Sequence, residues 1–207
     1  MLKKNFLDYL DQLKYFTDKE YLYYTIAYNA APTLAQNKPS SLLIFKNSNR
    51  KLNNSWIECK KEIKSNFNIE YFELNCIENS TAVLFYNKRM LERILQEKQS
   101  INFLRRFGYN AEMNTNQYLE HLSNRYNKIC PHEIGIFLGY PVADVAVFTN
   151  CPNKKCLAVG YWKVYFNIDN AKRIFNKYDV AKNNVIDLMI DGVEPKDIIE
   201  KKMLISV

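Results

Sequence analysis

The sequence predicts an α+β fold: helix-rich, with a small, mostly antiparallel sheet of about four strands covered by helices. Three observations lead there. Apolar residues follow helical spacing through most of the chain, interrupted by a few β-type runs. Two of those runs, 69–75 (IEYFELN) and 81–86 (TAVLFY), are joined by the short polar connection Glu78-Asn79-Ser80, which favours an antiparallel hairpin. The order helices, strand, helix, hairpin, several helices, strand, helices lacks the β–α–β alternation of a doubly wound sheet.

Taken in order, residues 3–16 put Phe6, Leu7, Leu10, Leu13 and Phe16 on one helical face. A second helix over 19–30 ends before Pro32. The run 41–46 (SLLIFK) reads as a strand, followed by a helix over 49–65 that buries Trp56, Ile57 and Ile63. After the hairpin, helices are expected over 88–97 and 100–107, with Gly108 as the stop, and over 115–128. Pro131 opens a short helix that Gly139 ends, and Pro141 begins another to about Phe148. The run 159–166 (VGYWKVYF) reads as the last strand. A long helix over 168–190, with a possible break in the polar run 178–184, and a short one over 195–202 close the chain. The helices of 1–30 are expected to pack on the α+β core, making 1–207 a single domain.

Composition narrows the function classes. With 207 residues and 47% hydrophobic content, the chain can bury a full core without disulfides or a structural metal. Asp8 and Asp11 interrupt the apolar N-terminal positions, so no secretory signal is read there. No run approaches the roughly 18 apolar residues of a membrane helix. A cytoplasmic protein is expected, with its five cysteines as reduced thiols. The formal charge of +7 raises the question of nucleic acid, but acidic residues alternate with the lysines, as in Asp18-Lys19-Glu20, so nucleic-acid binding is not expected. Neither GxGxxG nor a Walker pattern occurs. The sequence leaves the cofactor unknown.

Three segments resemble a known family: AAPTLAQNKPSSLLIF (30–45), PHEIGIFLGYPVADV (131–145) and GYWKVYFNIDNAKRIFNKYD (160–179). Through them the chain is similar, over nearly its whole length, to domain of unknown function 3793, a family of anaerobic Gram-positive bacteria. The resemblance implies no activity. Where many family members carry His-Cys before Ala-Pro-Thr-Leu, this chain has Asn29 and Ala30, so a reaction resting on that cysteine is not expected here.

The candidate chemistry lies in or beside these segments. His132 and Glu133, in the first turn of a helix begun by Pro131, suit acid/base work on a small anionic substrate; the plainer reading is that Glu133 caps backbone N–H groups. Cys130, His132, Cys151 and Cys156 offer three sulfurs and one nitrogen for a metal or redox site, at wider spacing than zinc ligands usually show. Cys130 beside His132 is also the one local nucleophile–base pairing, at a sequence separation that rarely aligns the two. Backbone N–H groups at 142–144 could hold an anion. On a strand, Tyr161, Lys163 and Tyr165 share one face, suited to an acidic or aromatic ligand or simply to a half-exposed edge, while Trp162 and Val164 face the core. Thr33 and Lys38 sit in the turn before the first strand, and Tyr140 between two helices. With no complete catalytic set, the leading expectation is a non-catalytic ligand- or partner-binding protein using Thr33, Lys38, Tyr140, Tyr161, Lys163 and Tyr165; the acid/base enzyme and the metal or redox protein remain alternatives.

Overall fold

The run Thr81 to Tyr86 is buried at every position, and this decides the layering. A strand shielded on both faces must lie in the middle of its sheet with material above and below. In the computed structural model, which describes residues 13–66, 69–126 and 130–200, β1 (Ser40–Lys46), β2 (Glu70–Ile77) and β3 (Ser80–Tyr86) form an antiparallel sheet of order β1-β3-β2. The expected hairpin is β2–β3, and Leu43 lies opposite Val83 on the other side of β3. Between Glu73 and Asn75 the register of β2 shifts at Leu74, a bulge.

Alternation along β3 sends its side chains into two cores. Val83 and Phe85 join Leu43, Phe45, Trp56 and Ile63 on one face, packed beneath α1 (Asp18–Asn29), which the short α2 (Ala31–Leu34) follows, and α3 (Leu52–Asn66). Ala82, Leu84 and Tyr86 join the other core, under α4 (Lys88–Gln96), α5 (Lys98–Leu104) and α6 (Thr115–Tyr126). The fold class is as the sequence predicts, with helices covering both faces of the sheet. Within α3, Trp56, Cys59 and Ile63 point inward, whereas Ile57, expected in the core, is 50% exposed. The helix expected over 3–16 falls mostly outside the described residues; Leu13 is buried.

The C-terminal third builds the site. Residues 131–133 turn into α7 (Ile134–Phe137), and Pro141 is the N-cap of α8 (Val142–Asn150). The helix α9 (Ile168–Ile190) runs without the break considered at 178–184, and α10 (Pro195–Glu200) follows. The segment 159–166 is not one strand. It folds into a two-stranded ribbon, β4 (Ala158–Val159) with β5 (Lys163–Val164), separate from the main sheet. A bond from the Gly160 N–H to the Trp162 carbonyl (3.1 Å) turns it, and Gly160 lets the Phe175 ring approach where a Cβ would come within 2.3 Å. Among the described residues, no helix is long and apolar enough to cross a membrane.

Two family-like segments meet at Gly139. Its φ of +77° is left-handed, and a Cβ there would lie 2.5 Å from Pro39 Cδ. Nearby, the Ser40 hydroxyl donates to the Phe137 carbonyl (2.7 Å). Gly139→Ala is therefore expected to lower unfolding free energy by about 2 kcal/mol, from backbone strain and overpacking together. Urea denaturation would read this as a lower midpoint at unchanged slope.

Candidate functional site

Pro131, the α7–α8 corner and the ribbon enclose a cleft of about 450 Å³. Its walls are apolar and aromatic: Ile134, Tyr140, Val145, Phe148 and Trp162. His132 and Lys163 bring polarity to it. The His132 ring meets Phe148 edge-on at 4.9 Å, and the Lys163 ammonium lies 5.4 Å from the same ring. Trp162 packs against Tyr140 at 5.2 Å.

The ribbon wall is fixed by one buried carboxylate. Asp144, in the first turn of α8 and 2% exposed, accepts from Trp162 Nε1 (2.8 Å) and from the backbone N–H groups of Tyr165 (2.9 Å) and Phe166 (3.0 Å). These are N–H groups that a neighbouring strand would otherwise take. The first turn of α8, considered above as an anion site, thus already carries an acidic side chain.

The predicted residues separate into groups. Cys130, His132, Tyr140 and Lys163 line the cleft. Glu133 turns away, 1% exposed, and accepts from Arg125 Nε. It lines a second hollow with Arg125, Phe107 and His132, makes no side-chain cap, and no hydrogen bond joins it to His132. The capping reading does not describe it, and its carboxylate pairs with Arg125 where the acid/base reading would pair it with His132. Partial desolvation, reinforced by the Glu133 charge, raises the Cys130 thiol's pKa, the opposite of what an activated nucleophile needs. Among the described residues, no three His, Cys, Asp or Glu side chains come together as metal ligands, so Cys130, His132, Cys151 and Cys156 do not assemble a tetrahedral set.

The face expected to unite Tyr161, Lys163 and Tyr165 is split by the ribbon turn. Lys163 is exposed, Tyr165 is buried, and the Tyr161 hydroxyl donates to Asp179 (2.8 Å). Thr33 is buried and its hydroxyl pairs with that of Ser41 (2.8 Å). Trp162 and Val164 are buried as expected, yet Trp162 also walls the cleft.

The three family-like segments do converge, at Lys38. From the first segment, its ammonium lies 5.5 Å from the Tyr140 ring of the second and 5.7 Å from the Tyr178 ring of the third. Sequence reading missed Asp144, Phe148, Tyr178 and Lys182. Tyr178 and Lys182 stand four apart, the spacing that places side chains on one helical face; reading 178–184 as a possible break hid that signal.

The model of the family described as "Protein of unknown function (DUF3793)" matches residues 26–199. The chain belongs to this family. It matches no curated protein and no solved structure. The match runs from the last turn of α1 into α10 and includes all three segments that meet at Lys38. At the two positions before Ala31-Pro32-Thr33-Leu34, Asn29 is exposed with its amide donating to Thr25 O (2.9 Å), and Ala30 is buried; neither lines the cleft.

Proposed function

We propose that this protein binds a small molecule in the cleft between α7–α8 and the ribbon, and that the ligand is flat and largely apolar with one anionic group. The carrying observation is the cleft itself, about 450 Å³ walled by Tyr140, Phe148 and Trp162 with the Lys163 ammonium above Phe148. Mostly apolar walls with a few placed polar groups are the usual form of a small-molecule site. Aromatic walls suit a planar ligand, and Lys163 and His132 supply a cation and a hydrogen-bonding ring for its anionic end. The acid/base reading has less support because Glu133 is committed to Arg125. The metal reading has less because its ligands stay apart.

Indole-3-acetate and uncharged indole are suitable probes, followed by NMR at the Trp162 indole N–H. Both are expected to shift that resonance. Lys163→Glu, on an exposed side chain, is expected to weaken indole-3-acetate about tenfold while leaving indole nearly unchanged. Shifts confined to residues outside the cleft, or equal loss of both probes, would sink the reading.

A further inference from the structure

Lys38 is 7% exposed, and its ammonium makes neither an ion pair nor a hydrogen bond among the described residues. An ammonium held away from water usually has a carboxylate beside it. Here it has the rings of Tyr140 and Tyr178, and a second cation: desolvation first, then the charge of Lys182, pulls its pKa down to about 8. Lys182, half-buried one turn along α9 from Tyr178, lies 5.0 Å from the Tyr28 ring and 5.2 Å from the Tyr161 ring. The hydroxyls of Tyr28, Tyr140 and Tyr178 also have no hydrogen-bond partner among the described residues. Burial raises the pKa of all three, so they stay protonated and able to donate. Asp179, the carboxylate that acts on this cluster, is exposed at its lip and already accepts from Tyr161. The cluster therefore has a surplus of donors and positive charge, and among the described residues no carboxylate pairs with Lys38.

We propose that Lys38 and Lys182, with the hydroxyls of the surrounding tyrosines, bind a small oxyanion of the phosphate or carboxylate class. The anion supplies the missing counter-charge, and the phenols donate to its remaining oxygens. Tyr28, Tyr161 and Lys182 are the half-buried members through which an anion would enter, and Tyr161 also lines a shallow groove with Gly160, Phe175 and Asp179. The site does not depend on the cleft ligand, although Tyr140 borders both.

Inorganic phosphate and acetate are titrated into the full chain at pH 7 and fixed ionic strength, and thermal unfolding is followed. One of the two is expected to raise the Tm of the native protein. Lys38→Met, which removes the buried charge and keeps the chain's bulk, is expected to unfold at a higher temperature than the native protein without anion. It is also expected to bind the anion about thirtyfold more weakly or worse. Without anion, its advantage should narrow as pH rises from 7 towards 10. Lys38 loses its proton near pH 8 when folded and near 10.5 when unfolded, so native stability grows through that window. Lys182→Gln, at a half-buried position, is expected to lose most of the anion response as well, whether or not Lys38→Met folds. Phosphate acting alone assigns the site to phosphoryl groups, and acetate acting alone assigns it to carboxylates; either supports the proposal. No response to either anion overturns it. So does a response equal in native protein and both variants, or a Lys38→Met chain that is less stable yet keeps the full response.

Discussion

Asp144→Ala is expected to lower the unfolding free energy by about 4 kcal/mol and to release the ribbon from α8. Three N–H groups converge on this carboxylate, from Trp162, Tyr165 and Phe166. Alanine leaves two of them on residues only 7% (Trp162) and 6% (Tyr165) exposed, too dry for water to replace the lost acceptor fully, while Phe166 is 46% exposed and can turn its N–H to water. Asp144→Asn separates the contributions. Its one carbonyl oxygen can still accept from the two backbone groups, while its amide must face the Trp162 N–H, donor against donor. About half of the alanine effect is expected. Urea denaturation gives the free energies, and the Trp162 indole N–H resonance reports whether the ribbon has moved. A loss below about 1 kcal/mol for alanine would mean that α9 alone holds the ribbon.

Arg125→Ala is expected to cost about 3 kcal/mol or more, because it strands the Glu133 carboxylate in the core. The two partners differ: the Glu133 side chain is 1% exposed and that of Arg125 is 36% exposed. Their hydrogen bond is also the main cause of the raised pKa of the Arg125 guanidinium. Removing the arginine leaves a buried charge with no compensation, beside a Tyr109 hydroxyl that has no hydrogen-bond partner among the described residues. The double variant Arg125→Ala/Glu133→Gln removes that charge, so it should be more stable than Arg125→Ala alone. Equilibrium denaturation of the single and double variants tests this. A double variant as unstable as the single one would show that the guanidinium acts by packing against the Phe107 ring (5.2 Å), not by pairing.

Most elements were legible in the sequence because their signals are local. Gly108 and Gly139, both at positive φ, end helical segments as expected. Helix α3 begins within three residues of the expected position, and β1, β2 and β3 follow their runs closely. What failed was non-local. The run 159–166 has strong β character, but whether it joins a sheet depends on what meets its N–H groups, and Asp144 meets two of them from 21 and 22 residues away. The polar run 178–184 looked like a break because its partners, Tyr28 and Lys38, lie far earlier in the chain. Glu133 was read as a cap or a base because Arg125, in the preceding helix, could not be placed from spacing alone. For the site, Tyr140 and Lys163 were legible as residue types out of place, whereas Trp162 looked like core and is both core and wall.

The bulge at Leu74 has a further consequence, for solubility. Among the described residues, a sheet of order β1-β3-β2 leaves β1 and β2 as its edges, and a regular free edge is a template on which another chain can add a strand. Here the ladder is broken at Leu74, and the Leu74 carbonyl accepts from the Ser123 hydroxyl of α6 (2.7 Å). An incoming strand would find its spacing out of step and an acceptor already taken. The side chain of Leu74 anchors one core, while its backbone denies neighbouring molecules a place to dock.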